Sequence, residues 1–313
     1  MALTVGVDIG GTKIMAGVVD ENGTILTRHR VPTPKDSEQT AVAIAEAALL
    51  VSEGYPVEAV GLGAAGFISA DRATVLFAPN MAWRDEPLKA KIEQRVGMPV
   101  VVENDANAAA WGEARFGAGS GRPDVLLYTI GTGVGGGVVS DGRLLRGHFG
   151  IGAEFGHYRV QPGGRLCGCG QRGCLEMYAS GSALTRFAKE HAAADPDRAK
   201  ILLSLGDGTP DGIAGAHITE AVRKGDPIAM EGFAEVGGWL GQSMADLASI
   251  LDPGVFIIAG GVSDAGEIIT APARERYHAS MAGAGNRPYA EVVTATLGPD
   301  AGLIGAADLA RLR

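Results

Sequence analysis

The chain has 313 residues, 46% hydrophobic and 20% charged, a globular balance at about twice the ~150-residue size of one domain, so two domains are expected and wholesale disorder is excluded. Its 27 Lys and Arg against 36 Asp and Glu give a net charge of −9, which argues against a general nucleic-acid or anionic-membrane surface while leaving room for a small phosphorylated ligand held by backbone N–H groups. The 48 glycines cluster without a period, which excludes collagen and implies several tight turns, and three cysteines leave no closed disulfide framework.

In chain order, TVGVDIGG opens as a strand that runs into glycines. IMAGVVD and TILTRHRV read as strands joined at Asn22-Gly23, a strong hairpin signal. Residues 37–52 read as a helix with Ser37 as N-cap and Gly54 past its end. Residues 57–66 read as a buried strand entering a glycine turn, 99–105 as another strand, and a helix starts at Asp105. Residues 124–145 hold two strands around a glycine cluster, then an Asp141-Gly142 turn and a third short strand. Residues 147–176 are rich in Gly, His and Cys without periodicity. Helical patterns run from 182 to about 250, broken by the polar stretch 206–212. A buried strand at 255–261, a strand at 291–298 and a helix at 300–312 complete the chain. Alternating strands and helices predict an α/β class, with strand, glycine turn, strand recurring at both ends of the first 145 residues. The N-terminus has no basic segment before Asp8, and no window of ~18 residues is uninterruptedly apolar, so the expected compartment is the cytoplasm, with no membrane partner.

Two glycine-rich segments look like nucleotide motifs and are read otherwise. GVDIGGTK (6–13) has Gly-Thr-Lys where a Walker A loop needs Gly-Lys-Ser/Thr, and a strand follows instead of a helix. GTGVGG (131–136) contains GxGxxG, again followed by a strand and a turn. Both read as tight β-turns whose bare backbone can approach an anion. Asp8, at a strand end beside such a turn, is suited to hold Mg²⁺ directly or through water, whereas Lys13 taken alone reads as a solvated charge.

All three cysteines fall in CGCGQRGC (167–174), and His157 lies ten residues before the first. Three thiolates and an imidazole make a closed tetrahedral set for a structural Zn²⁺; the plainer alternatives are three reduced thiols or a strained Cys167–Cys169 bridge. Glu154 and Glu176 flank this set, so the metal would preorganise a binding surface. Val102-Glu103-Asn104-Asp105 ends a strand and begins a helix. Asp105 there is either an N-cap or, with Asn104, a donor–acceptor pair for adjacent hydroxyls at the strand end where α/β sheets bind ligands. Asn80, in APNMAW, adds a weaker polar candidate.

VGVDIGGTK (5–13), VVENDANAAA (101–110), IGTGVGGG (130–137), EFGH (154–157) and CGCGQRGCLE (167–176) occur in the order of the ROK family (repressors, open reading frames and sugar kinases), which the chain resembles over essentially its whole length. The C-x-C-G-x-x-G-C-x-E motif is specific, and ENDANAAAWGEARFGAG is most similar to the family's bacterial glucokinases. The resemblance implies a two-domain α/β fold of the actin-like ATPase (ribonuclease H-like) type with a zinc-bound loop. Residues 1–109, completed by the C-terminal helix 300–313, would form a small domain, 110–299 a large one, with the active site in the cleft between them.

The same resemblance implies ATP-dependent phosphorylation of glucose at its 6-hydroxyl by in-line transfer, with catalytic Mg²⁺ and structural Zn²⁺, in a homodimer or homotetramer. Asp105 would be the base, with an ordinary carboxylate pKa. Gly66, Asn80, Asn104, Asp105, Glu154, His157 and Glu176 would bind the sugar. Asp8, Gly10, Gly11, Thr12, Lys13, Gly131, Thr132, Gly133, Gly260 and Gly261 would bind ATP. His157, Cys167, Cys169 and Cys174 would hold the zinc. The residues themselves leave fructose, mannose or N-acetylmannosamine open, since Asn, Asp, Glu and His bind any vicinal hydroxyls, and polyphosphate open as donor. A sugar-responsive transcriptional regulator of the same family would need an N-terminal winged helix-turn-helix, for which the residues before Asp8 leave no room. Asp105 and the acidic charge also favour an enzyme without a nucleic-acid partner.

Overall fold

The computed structural model describes residues 3–78 and 81–313. Residues 1–127, 136–153 and 296–313 form one compact unit, and residues 128–135 and 154–295 a second.

The first unit begins with β1 (Leu3–Ile9) and β2 (Lys13–Val19), antiparallel around the glycine turn, and β3 (Ile25–Pro32), an edge strand whose residues alternate between half-buried and exposed. The Asn22-Gly23 turn forms as expected, its N–H groups at Asn22 and Thr24 donated to the Asp20 carboxylate. Helix α1 (Ser37–Ser52) buries Ala41, Ile44, Ala48 and Val51 at helical spacing. Its N-cap is Asp36, whose carboxylate accepts from the Gln39 N–H, rather than the expected Ser37, whose hydroxyl donates to Glu86. Next come β4 (Val57–Ala64), the short strands β5 (Phe67–Ile68), β6 (Val75–Phe77) and β7 (Arg84–Glu86), helix α2 (Leu88–Val96), β8 (Val100–Asn104) and α3 (Asp105–Phe116).

β9 (Val125–Ile130) and β10 (Val134–Ser140) enclose the second glycine turn. The Asp141-Gly142 turn to β11 (Arg143–Leu144) has both φ positive, at 48° and 67°, as a tight hairpin requires. The second unit then carries helices α4 (Glu176–Ala179), α5 (Gly181–Ala194), α6 (Lys200–Leu205), α7 (Gly215–Arg223) and α8 (Pro227–Leu251), strand β12 (Val255–Ala259), helix α9 (Glu267–Ser280) and strand β13 (Glu291–Thr294). Helix α10 (Ala301–Arg311) returns to the first unit.

Two five-stranded sheets have the same wiring. One runs β3-β2-β1-β4-β8 and the other β11-β10-β9-β12-β13, each an antiparallel hairpin at one side with a parallel pair at the other. Helix α10 lies on β1 and β4 with α3 along its flank. The boundary expected at 109/110 falls inside α3, which lies wholly in the first unit because it packs along α10.

The contact between α10 and the sheet is made of backbone. A Cβ added at Gly6 would land on the Leu303 carbonyl, and one at Gly61 on the Ala306 carbonyl. Gly61→Ala is therefore expected to force helix and sheet apart and cost about 2–3 kcal/mol. Urea unfolding should show a lower midpoint with an unchanged slope.

Candidate functional site

The parallel ladders of β1, β4 and β8 pair Asp8 with Gly63 and Ala64 with Asn104, so these strands end at one edge of their sheet. Asp8 lies there half-buried, and the first glycine turn closes with the Gly10 N–H donating to the Lys13 carbonyl at 3.0 Å. Thr33 pins the turn from outside: its hydroxyl donates to the Gly10 carbonyl at 2.6 Å and its N–H to that of Thr12 at 3.1 Å. Burial, then the neighbouring Asp105 charge, push the Asp8 carboxyl up to about 6, against the opposing pull of Lys13. Lys13 is thus half-buried and electrostatically coupled to Asp8, not merely solvated. The first turn of α10 lies beside this carboxylate: a Cβ at Gly302 would stand 3.4 Å from Asp8 Oδ1. A half-buried carboxylate whose charge is disfavoured by a second one nearby is a fitting ligand for a divalent cation.

At the start of α3 the capping work belongs to Asn104, whose Oδ1 accepts from the Asn107 N–H at 3.0 Å. Asp105 occupies the first helical position, so the N-cap reading of it falls. Its Oδ1 accepts from the Ala106 N–H at 2.9 Å. Burial raises its pKa above the ordinary carboxylate range expected for it, with the Ala106 N–H opposing. Asn104 also donates from Nδ2 to the Gly66 carbonyl at 3.1 Å, and Gly66, at φ +144°, has no space for a side chain against Phe77 and Ala78. Asn80 lies outside the described residues.

In the second unit, the turn 131–133 closes with the Gly131 N–H donating to the Gly133 carbonyl at 3.0 Å. Helix α5 starts against it. Ser180 caps the helix, the Gly181 N–H donates to the Gly131 carbonyl at 2.8 Å, and the Ser182 hydroxyl to the Thr132 carbonyl at 2.7 Å. A helix N-terminus at a glycine turn favours anions. Gly260, at φ +86°, passes so close to β9 that a Cβ would meet the Ile130 carbonyl at 2.6 Å. A cavity of about 1070 Å³ gathers Gly131, Thr132 and Gly261 with Ser182, Arg186 and Lys189. The last three were missed by sequence reasoning. Ser180-Gly181-Ser182 carried a capping signal that pointed to the helix start, whereas Arg186 and Lys189 read as ordinary surface charges.

The ligand atoms of His157, Cys167, Cys169 and Cys174 all lie within 4.8 Å of one another. Cys167 Sγ is 3.7 Å from His157 Nδ1, and Cys169 Sγ is 3.6 Å from Cys174 Sγ. A tetrahedron with ~2.3 Å metal–sulfur arms has edges of about 3.8 Å, so the donor set fits a zinc-sized ion. Burial pushes the Cys167 thiol up to about 12, so binding a cation there must expel a proton. Glu176 links this loop to the second glycine turn. Its Oε1 lies 3.6 Å from Cys167 Sγ and its Oε2 accepts from the Val134 N–H at 3.2 Å, occupying the space a side chain at Gly133 would need. Glu154 precedes a short 3₁₀ turn, Phe155–His157, and its carbonyl accepts from the His157 N–H at 3.0 Å.

The raised Asp8 pKa carries a stability prediction. Asp8 titrates near 3.8 when unfolded and near 6 when folded, so folding disfavours its ionised form. That penalty is absent below pH ~3.8, fully present above pH ~6, and about 3 kcal/mol at 1.36 kcal/mol per unit. Asp8→Asn is expected to stabilise the protein at pH 7.5 in EDTA-containing buffer, the gain disappearing toward pH 4. Urea unfolding at the two pH values measures it.

Residues 4–313 match the model of the ROK family. The glucokinase of Streptomyces coelicolor is 57% identical over 311 residues, 99% of this chain and 98% of that protein. The crystal structure of a ROK family glucokinase from Streptomyces griseus in complex with glucose and AMPPNP is similar at a TM-score of 0.91 and 59% identity, over 100% of both chains. That of a ROK hexokinase from Thermus thermophilus is similar at a TM-score of 0.83 and 38% identity, over 99% of this chain and 98% of the other. The α/β fold with its pair of identically wired sheets is of the actin-like ATPase type expected from the sequence. This chain belongs to the ROK family.

Proposed function

We propose that the protein is an ATP-dependent glucokinase that transfers the γ-phosphoryl group to the 6-hydroxyl of glucose, with Asp105 as general base. The observation that carries this reading is the arrangement at the start of α3, where Asn104 takes over the cap and leaves Asp105 in the first helical turn with raised basicity. A base poised nearer the working pH removes a proton more effectively. The identity to proteins named glucokinase, one of them solved with glucose and AMPPNP, supports the choice of sugar and nucleotide.

In this reading, the transition state is loose and needs alignment and charge neutralisation more than covalent help. With the Gly10 and Gly131 N–H groups closing the two turns, the N–H groups of Gly11, Thr12, Thr132 and Gly133 would face phosphate oxygens, with Lys13 adding positive charge. The cavity bordered by Gly131 and Gly261 takes the adenosine, with Gly260 packed closely against Ile130 of its lining. Gly66, Asn104, Glu154, His157 and Glu176 hold the sugar hydroxyls. Asp105 accepts the 6-hydroxyl proton as the oxygen bonds to phosphorus. Asp8 would hold Mg²⁺, which neutralises phosphate charge when bound. His157, Cys167, Cys169 and Cys174 would hold Zn²⁺, which fixes the loop carrying Glu176. Cytoplasmic location and a homodimer or homotetramer complete the proposal; among the described residues, no helix is long and apolar enough to cross a membrane.

ADP release measured over a panel of hexoses is expected to be glucose-dependent, and ADP release unaffected by any sugar would overturn the reading. Asp105→Asn is expected to retain glucose binding, measured calorimetrically, while losing ~10²-fold or more in kcat. Near-normal turnover would refute the base assignment. Cys169→Ser is expected to lose its metal by elemental analysis, melt at lower temperature and show a raised KM for glucose. A metal-free yet fully active variant would contradict the zinc assignment.

A further inference from the structure

Two residues before Asp105, the Glu103 side chain is only 1% exposed, so it is sealed away from any substrate. Both of its oxygens are nevertheless engaged by charge. Arg72 Nε stands 3.0 Å from Oε2, and Arg146 Nε 2.8 Å from Oε2 and 3.1 Å from Oε1. Oε1 also accepts from the Asn104 N–H at 2.9 Å and from Asn107 Nδ2 at 3.1 Å. Because Asn104 Oδ1 in turn accepts from the Asn107 N–H, Glu103, Asn104 and Asn107 close a hydrogen-bonded ring around the first turn of α3.

The two arginines tie that ring to the loop opposite. Arg146, itself mostly buried, donates to the carbonyls of Ser69 at 2.9 Å and Ala70 at 2.8 Å. Arg72 holds an unusual φ of +58°, and its carbonyl accepts from the Val102 N–H at 3.1 Å. The Asn104–Gly66 bond pins the same loop at its beginning. A carboxylate this deeply buried is tolerated only when paired and hydrogen-bonded; here the two arginines pair with Oε2, which accepts no hydrogen bond from the described residues, while Oε1 carries the hydrogen bonds of the ring.

We propose that Glu103 is a positioning residue for phosphoryl transfer: clamped by Arg72 and Arg146, it locks the Asn104–Asn107 ring and thereby the direction in which Asp105 leaves α3. This inference rests on the reading of Asp105 as base. Glu103 touches neither sugar nor nucleotide; it acts through Asp105.

Combining Glu103→Gln with Asp105→Asn tests this. In the otherwise native enzyme, E103Q is expected to lower kcat for glucose about 10- to 100-fold, the scale of a small misplacement of a catalytic group, with KM for ATP within about twofold. In the D105N background, adding E103Q should change the residual kcat by less than about twofold, because the group it orients is already disabled. Equal fold losses in both backgrounds, or a native-like kcat for E103Q, would overturn the proposal. If circular dichroism shows E103Q unfolded, Arg146→Lys, which keeps the charge but loses the paired carbonyl contacts, takes its place with the same outcomes. Failure of the base reading appears separately, as near-native turnover of D105N alone.

Discussion

Parallel register among β1, β4 and β8 brings their last residues level, and the polar chemistry of the first unit gathers where those ladders stop. Asp8, the Gly66 turn and the Asn104–Asp105 pair come from distant parts of the sequence, yet no long side chains are needed to join them. The arrangement is electrostatically costly, since burial and the nearby Asp105 charge both disfavour the ionised form of Asp8. Lys13 offsets part of that cost, and the remainder explains why Asp8 holds its proton more tightly than an exposed aspartate does. An edge that destabilises its own negative charge is prepared to receive a positive one.

The second sheet repeats the wiring but not the charge. Its hairpin turn, Gly131–Gly133, has no carboxylate of the Asp8 kind at its entrance: Thr129 stands two residues before Gly131, where Asp8 stands before Gly10, and Val134 follows where Lys13 follows the first turn. What it receives instead is the capped start of α5, through the Gly181 N–H and the Ser182 hydroxyl, and the side chain of Glu176, anchored beside the Cys and His cluster. One turn is thus electrostatic in character and the other chiefly a set of N–H dipoles. The cysteine loop has little regular structure of its own, so a bound ion would substitute for the hydrophobic packing it lacks.

Much of this was legible from the residues. Asn22-Gly23 and Asp141-Gly142 force particular turns, and the strand patterns that follow Gly10–Thr12 and Gly131–Gly133 exclude helix-based nucleotide loops. The four candidate metal ligands that stand close in sequence also come together in space. The failures have physical causes. At Asp36-Ser37 and Asn104-Asp105 two adjacent residues can each cap a helix, and only the folded backbone selects one. Helix α9 contains Pro272, which reads as a breaker, and α2 is short, with only Leu88, Ile92 and Val96 on its buried face. Strands β5 to β7 are too brief to show a period. The partners of Glu103 lie on a loop and a hairpin far away in sequence, and nothing local marks Arg72 or Arg146 as anything but surface cations.

The place of α10 bears on how the molecule is made. Leu303, Ile304, Ala307 and Leu309 are buried, and the helix fills the space above Gly6 and Gly61, near the opposite end of the chain. Translation runs from the N-terminus, so β1 and β4 leave the ribosome with that face uncovered and stay so through the synthesis of everything up to residue 300. The body built from 154–295 has by then its own helices and strands to close upon. The half of the protein born first is therefore the half finished last, and its nascent apolar sheet is the surface most in need of a chaperone's shelter.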